Sequence, residues 1–263
     1  MPHTLTKLKD KFLSNEELKV LFGQVTDNQE LANEIGNYFD QLFPIMRSIT
    51  GEGVRKSLSI ISEIQPLEIN ETPTGTNVFD WVIPKEWVFK DAYIIDPEGN
   101  KILDASDNTL HVLNYSIPFK GIINRAELDK HLYSLPEQPN AIPYVTSYYK
   151  ERWGFCLSEN QRKTLRDGDY HVVVDTEFID GSLSLGECVL DGESESEVLI
   201  STNICHPSLA NNELSGMLVC AFLARLVASW PKRRLTYRFV FLPETIGSLT
   251  YLAQWGDHLK SKV

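Results

Sequence analysis

The sequence holds only four cysteines in 263 residues, Cys156, Cys188, Cys205 and Cys220, with no CxxC pair among them. That spacing excludes the disulfide framework of a small secreted scaffold and predicts reduced, buried thiols. No stretch approaches the roughly 18 apolar residues of a membrane span. The opening Met1–Asp10 lacks the apolar core of a signal peptide, so a cytoplasmic location is expected. Basic residues are also in deficit, 25 Lys and Arg against 36 Asp and Glu, for a formal charge of -11. A net negative surface repels phosphate backbones, which argues against nucleic acid and anionic membranes as partners. The one basic cluster, Lys232-Arg233-Arg234, is too short to reverse that. No Gly-x-Ser-x-Gly elbow supports a serine hydrolase, and Gly51-Glu52-Gly53 lacks the pattern and following Lys of a phosphate loop.

What remains is the composition of an ordinary globular protein, long enough for one large domain or two smaller ones. Residues 1–30 are polar and read as an N-terminal extension of one or two short helices. From Leu31, the apolar residues Ile35, Tyr38, Phe39, Leu42, Phe43 and Met46 recur at helical spacing. Val54, Leu58, Ile61 and Ile64 continue as a second amphipathic helix ending near Pro66. Between Leu67 and Pro118 short β-branched and aromatic runs alternate with turn signals: Val78–Val82, Ala92–Ile95 and Leu110–Tyr115 read as strands. Arg125–Leu135 reads as a helix, Leu135–Pro143 as a Pro-rich connector, and Ser158–Leu165 as a helix capped by Ser158. Strands are expected at Tyr170–Val174, Leu183–Leu190, Glu197–Thr202 and Thr236–Leu242. Leu214–Trp230 and a segment starting at Ile246 read as helices. This order predicts an α/β sheet with crossover connections over 31–66 and 158–263, interrupted by an inserted β-rich domain over 67–157.

The densest chemistry lies in Ser201–Gly216, Ser-Thr-Asn-Ile-Cys-His-Pro-Ser-Leu-Ala-Asn-Asn-Glu-Leu-Ser-Gly. It sits where a strand gives way to a helix, the usual place for a ligand in an open α/β sheet. His206 and Glu213, seven residues apart, can both reach one zinc ion. The alternative is a turn in which Asn211 or Asn212 caps the helix and His206 packs structurally. Glu244, in Phe-Leu-Pro-Glu-Thr-Ile-Gly, follows a very apolar strand. It suits a general base acting on water, or equally a helix-terminal Glu stabilised by the macrodipole. In Tyr144–Phe155, the residues Tyr148, Tyr149, Arg152 and Trp153 offer stacking and anion-pairing groups for a substrate cleft, and packing explains them as well. His111 and His171 fall within strand-like runs and read as satisfied sheet residues, His258 as a solvated one.

Taken together, His206, Asn211–Gly216 and Glu244 ahead of Gly247-Ser248 resemble the zinc-dependent aminopeptidases of the di-zinc exopeptidase class. A closer resemblance is to a bacterial aminopeptidase-like family with an inserted domain of unknown function, often associated with surface-polysaccharide gene clusters. It rests on Leu42-Phe43-Pro44 with Arg47–Gly53, Val78–Trp81 with Pro84–Trp87, Ile142–Tyr149, and Glu151–Cys156. The resemblance implies a zinc-aminopeptidase-like three-layer α/β sheet, here incomplete toward the C-terminus. It also implies a hydrolase acting on a peptide or amide bond, with His206 and Glu213 holding zinc, Asn212 supporting them and Glu244 activating water. Three positions depart from the aminopeptidase pattern. Ser208 and Asn212 stand where aspartates are expected, and Thr245 where a second glutamate is expected. Neutral oxygens compensate poorly for dehydrating a cation, so one zinc ion at most is expected. The family's later ligands have no counterpart before Val263. A catalytically inactive binding or scaffold protein, a homo-oligomer, or a chain completed by a partner is therefore the alternative expectation.

Overall fold

The structure, a computed structural model, describes residues 28–263; the expected N-terminal helices fall largely outside that range. Residues 28–40 belong to one compact unit and 41–263 to a second. Helix α1 covers Asn28–Leu42. It stops short of the expected Met46 because Pro44 disfavours helical backbone at the residue before it. Helix α2, Glu52–Ile64, buries Val54, Leu58, Ile61 and Ile64 on one face. Its entry requires glycine: a Cβ at Gly53 would lie 2.0 Å from the Met46 carbonyl oxygen.

Strands β1 (Glu68–Pro73), β2 (Asn77–Val78), β3 (Trp81–Val82), β4 (Glu86–Ile95), β5 (Lys101–Asp104) and β6 (Phe119–Asn124) follow. After helix α3 (Arg125–Leu128) come β7 (Leu132–Tyr133), β8 (Phe155–Cys156) and helix α4 (Glu159–Thr164). The chain continues through β9 (Asp169–Ile179), β10 (Ser182–Leu190), β11 (Ser194–Asn203), helix α5 (Ser215–Ala228), β12 (Leu235–Leu242) and helix α6 (Ile246–Lys262).

These strands build two main sheets. One has the order β1-β10-β12-β11, with β11 and β12 parallel and the other pairs antiparallel. Side chains alternate across it. Leu183, Leu185, Val240 and Leu242 pack with Ile246, Tyr251 and Leu259 of α6. On the opposite face Gly186 approaches Leu58 of α2, and Gly216 of α5 approaches Thr202. The result is a three-layer arrangement, α2 and α5 on one face and α6 on the other. The small residues Ala221 and Ala224, both fully buried, let α5 lie close to the sheet.

The second sheet is antiparallel throughout, β5-β4-β9-β6. Its core contains Ile94, Leu128, Phe155, Tyr170 and Val172. Strand pairing cuts across the expected 67–157 insert. Strand β1, on the insert side of that division, pairs with β10, whereas β9, on the main side, pairs with β4 and β6. Arg55 of α2 ties the sheets together through both oxygens of the buried Glu86 on β4, whose Oε2 also accepts from the Ser182 N–H at 3.1 Å.

Three local expectations are corrected. Val78–Val82 is not one strand but a tight hairpin, β2 pairing antiparallel with β3 across a turn at Phe79-Asp80. Leu110–Tyr115 is not a strand: the Asn108 side chain accepts from the Leu110 N–H and starts a 3-10 turn over Thr109–His111. The helix from Arg125 ends at Leu128, with a 3-10 turn to His131, because Leu132–Tyr133 pairs with β8 instead. Helix α4 has the expected Ser158 cap, completed by Gln161 into a capping box. No helix among the described residues is long and apolar enough to cross a membrane.

Candidate metal centre and its cleft

Strand β11 delivers Asn203 to the carboxyl edge of the first sheet, and the chain then turns through Ile204–Ser208. Leu209 leads into a single π-helical turn over Ala210–Leu214 before α5 begins. The wide turn carries Glu213 back beneath the loop, fully buried. Glu213 Oε1 accepts from the His206 N–H at 3.0 Å, the Cys205 N–H at 3.4 Å and the Cys205 thiol at 3.4 Å. The same oxygen stands 2.7 Å from His206 Nδ1. The Asn212 amide nitrogen lies 3.1 Å from that ring nitrogen. Glu244, at the end of β12, places Oε2 3.2 Å from His206 Nε2, and its N–H donates to Cys205 Sγ. One imidazole is thus held between a buried carboxylate and one that is 54% exposed.

Each anchor has a physical source. The Arg47 guanidinium is buried against the loop, donating to the His206 carbonyl at 3.0 Å, the Leu42 carbonyl at 2.7 Å and Ser57 Oγ at 3.3 Å. Burial lowers the Arg47 pKa to about 10, and the nearby negative charge of Glu213 opposes that shift. The Tyr144 ring packs edge-on to His206 at 4.8 Å. Its hydroxyl pairs with Tyr148, and the Tyr148 hydroxyl donates to Asn114 Oδ1, which also accepts from Ser48 Oγ. Burial pushes both phenols well above their ordinary pKa, so this ladder stays neutral. Burial, then the Glu213 charge, does the same to the Cys205 thiol.

Beside Glu244 the backbone is strained. Thr245 has φ 60° and ψ -76°, and the Ile246 N–H reaches back to the Glu244 carbonyl at 2.7 Å. This is the γ-turn of the rare, unfavourable hand. Ser208 also has positive φ, 42°, and its hydroxyl bonds to Thr109 and to the Phe43 carbonyl. Strain of this kind is retained where surrounding contacts over-determine it, commonly at functional sites.

Glu244 opens on a cleft of about 200 Å³ lined by Ile49, Trp81, Pro84, Tyr148, Tyr149 and Thr245. Tyr148 and Tyr149 of the expected substrate-binding set therefore stand beside Glu244. Arg152 and Trp153 do not. Arg152 donates to the Thr146 carbonyl at 2.7 Å and the Tyr133 hydroxyl at 3.3 Å. Trp153 is stacked between Phe119 and His131, with ring centroids at 4.1 and 3.7 Å. Their aromatic and charged character serves packing of the second sheet. His258, expected to be solvated, instead pairs with Glu197 at 2.8 Å. His111 is buried and bonded to the Cys156 carbonyl.

Cys205, His206 and Glu213 offer a sulfur, a nitrogen and an oxygen within 4.8 Å of one another, donors of the type zinc takes. The Asn212 amide adjoins them. Glu213 Oε2 is buried and has no hydrogen-bond partner, leaving the cluster short of one donor or one cation. On those observations the residues fit one zinc ion. The structure thus brings the expected His206, Asn212 and Glu213 together and adds Cys205, which the sequence analysis missed and whose signal was its place next to the histidine at a strand end. The roles of Arg47 and Tyr144 were missed as well, since only tertiary structure reveals them.

Comparison with known proteins places the fold. The chain is 47% identical over 237 residues to a Clostridium acetobutylicum protein provisionally assigned to polysaccharide biosynthesis, with an aminopeptidase-like domain. The match takes in 90% of this chain and 54% of that protein, so the chain spans about half the length of the curated relative. A crystal structure of a provisionally assigned peptidase from the same organism superposes with a TM-score of 0.89 at 45% identity, over 93% of this chain and 58% of the other. A zinc aminopeptidase from Bacillus subtilis shares the fold alone, with a TM-score of 0.55 at 11% identity over 87% of this chain and 67% of that one. Residues 37–263 match the domain of unknown function DUF4910. The chain belongs to the DUF4910 family, a mixed α/β domain built on the zinc-aminopeptidase fold.

Proposed function

We propose that this domain is a metal-dependent hydrolase acting on a peptide or amide bond, with one zinc ion at His206 and Glu213. The observation that carries the reading is the position of one imidazole between two carboxylates, 2.7 Å on Nδ1 and 3.2 Å on Nε2. A neutral imidazole has a single N–H. In either neutral tautomer one ring nitrogen donates to its carboxylate and the other turns its lone pair toward one: Nδ1 toward Glu213 when Nε2 carries the proton, Nε2 toward Glu244 when Nδ1 does. A cation on the Nδ1 side resolves that conflict and also serves the unpartnered Glu213 Oε2.

In this reading His206 and Glu213 hold the ion, with Asn212 supporting them and the Cys205 sulfur in reach. Bound zinc supplies Lewis-acid polarisation of a carbonyl or of water. The chain's own residues do the rest. Glu213 and Arg47 fix the His206 loop from behind, and the Glu244 carboxylate orients Nε2–H. The half-exposed face of Glu244 accepts a proton from water entering the cleft. Trp81, Tyr148 and Tyr149 hold a peptide or an amide-bearing small molecule against it and displace solvent. The polysaccharide assignment of the C. acetobutylicum relative supports an amide carried on a sugar as one substrate class to assay.

A second reading is favoured by the burial of Cys205, His206 and Glu213, since closed sites are usually structural. There the cluster is a clasp, and the domain binds rather than cleaves. Hydrolysis of aminoacyl p-nitroanilides and N-acyl amino sugars by zinc-loaded protein separates the two. Glu244→Gln is expected to retain zinc and lose hydrolysis. Zinc-loaded wild type with no turnover above the buffer blank on either substrate class would leave the clasp as the surviving account.

A further inference from the structure

The β2–β3 hairpin carries apolar side chains that packing does not use. Its base is tied in: the Gly75 N–H donates to the Ile83 carbonyl and the Ile83 N–H to the Thr76 carbonyl, both at 2.9 Å. Val78 and Ile83 are buried in the core that includes Ile246 and Tyr251 of α6, and Trp81 packs partly against it. Phe79, at the turn, is different. It is 64% exposed, with Val82 at 53% and Tyr149, edge-on to Trp81, at 73%. The Phe79 backbone also has φ 54°, a conformation that two-residue hairpin turns normally give to glycine, asparagine or aspartate. A bulky side chain there is an outlier, and such strain gathers at binding and catalytic sites. Neither burial nor turn chemistry calls for phenylalanine at this position.

The cleft that this hairpin walls has a matching chemistry. Its lining is apolar apart from the Glu244 carboxylate, the Thr245 hydroxyl and the polar edges of Trp81 and the two tyrosines. Among the described residues, none that carries a positive charge lines it. The Tyr148 hydroxyl is already engaged with Tyr144 and Asn114. An anionic group entering here would lose its water beside Glu244 with no cation in the lining to receive it. A pyranose would bring several hydroxyls for which few partners remain. An apolar side chain has no such cost and gains contact with the Trp81–Tyr149 pair, whose ring centroids lie 5.6 Å apart at 78°. The cleft's volume of about 200 Å³ is below the roughly 300 Å³ of the smallest drug-sized sites, which suits one side chain and not an extended segment.

We propose that the β2–β3 hairpin is the specificity element of this cleft. Trp81, Val82 and Tyr149 take an uncharged aromatic or branched apolar group of the substrate, and Phe79 extends the same apolar wall. That this group sits beside a cleavable amide rests on the hydrolase reading; the selectivity rests on the lining alone.

The test is isothermal titration calorimetry of the full chain, with metal removed by chelation. The probes are N-acetylphenylalanine amide, N-acetylglutamic acid α-amide and N-acetylglucosamine. The phenylalanine probe is expected to bind about tenfold more tightly than either of the others, and Trp81→Ala to weaken it about tenfold. Phe79→Asn is the second variant, since asparagine accepts positive φ and preserves the turn. It should weaken the phenylalanine probe about threefold while the unfolding midpoint holds or rises. Should Trp81→Ala fail to fold, the order of the probes and Phe79→Asn still decide. An order led by the sugar or the glutamate, equal affinity for all, or no heat with the phenylalanine probe overturns the proposal. A Phe79→Asn protein that keeps its affinity, or loses it only along with its fold, overturns it as well. No metal is present in the titration, so the selectivity can fail while zinc-dependent hydrolysis stands, and hold while hydrolysis fails.

Discussion

Replacing Glu213 with alanine tests whether the buried carboxylate organises the His206 loop. The side chain is fully buried, and its Oε1 alone faces four groups, the His206 and Cys205 amides, the Cys205 thiol and His206 Nδ1. Alanine leaves two buried backbone donors without an acceptor and the Arg47 charge without its nearby anion. Removing one partner of a buried charged pair costs about 3–5 kcal/mol. That is a large share of the roughly 5–15 kcal/mol of net stability an ordinary domain has. For a chain of this size each kcal/mol moves the midpoint by about 2–4 °C, so a fall of about 6–20 °C is expected. Thermal unfolding at pH 7, followed by far-ultraviolet circular dichroism, measures it. Glu213→Gln can still accept from both amides and should lose about half as much. A Glu213→Ala midpoint within about 2 °C of wild type, under 1 kcal/mol, would refute the organising role.

Other consequences follow from single contacts. Thr245→Gly relieves the positive-φ γ-turn and should raise stability by about 1 kcal/mol in urea titration, while loosening Glu244 and lowering any turnover. Gly53→Ala forces a methyl to 2.0 Å from the Met46 oxygen and should cost more than about 2 kcal/mol or prevent folding. Hydrogen bonding from Arg238, and secondarily from His258, holds the Glu197 carboxyl below its ordinary pKa of 4.5. A depressed folded pKa stabilises above the unfolded value and is lost as pH falls through the folded one. Wild type should therefore lose stability steeply below pH 4.5, and Glu197→Gln should show a shallower slope in the same acid titration.

Periodicity made much of the first sheet legible. The apolar run of β12, the small residues of α5 and the strand-to-helix switch at Ser201–Gly216 all have short-range signatures, and the structure has those elements where they point. The second sheet was harder because its strands pair across long separations. Nothing local in Tyr170–Val174 says that β9 joins β4 and β6 rather than β10. Turn chemistry also decided cases that composition could not, as at Asn108, whose side chain replaces a strand with a 3-10 turn. At the site the sequence showed which residues have metal chemistry but not their partners. Arg47 lies 159 residues from the carbonyl it binds, and Tyr144 is 62 positions from the ring it packs on. Trp153 and Arg152 illustrate the converse: aromatic and basic residues with binding chemistry whose neighbours turn out to be core.

The central claim is that His206 and Glu213 form a metal site, and the zinc content of the purified protein tests it most directly. Wild type dialysed against buffered zinc should retain one ion per chain, with an unfolding midpoint that rises with free zinc. His206→Ala should retain none and show no such rise. A wild-type protein that binds no zinc, and whose midpoint zinc does not move, would contradict the account and leave the imidazole shared between two carboxylates by protons alone.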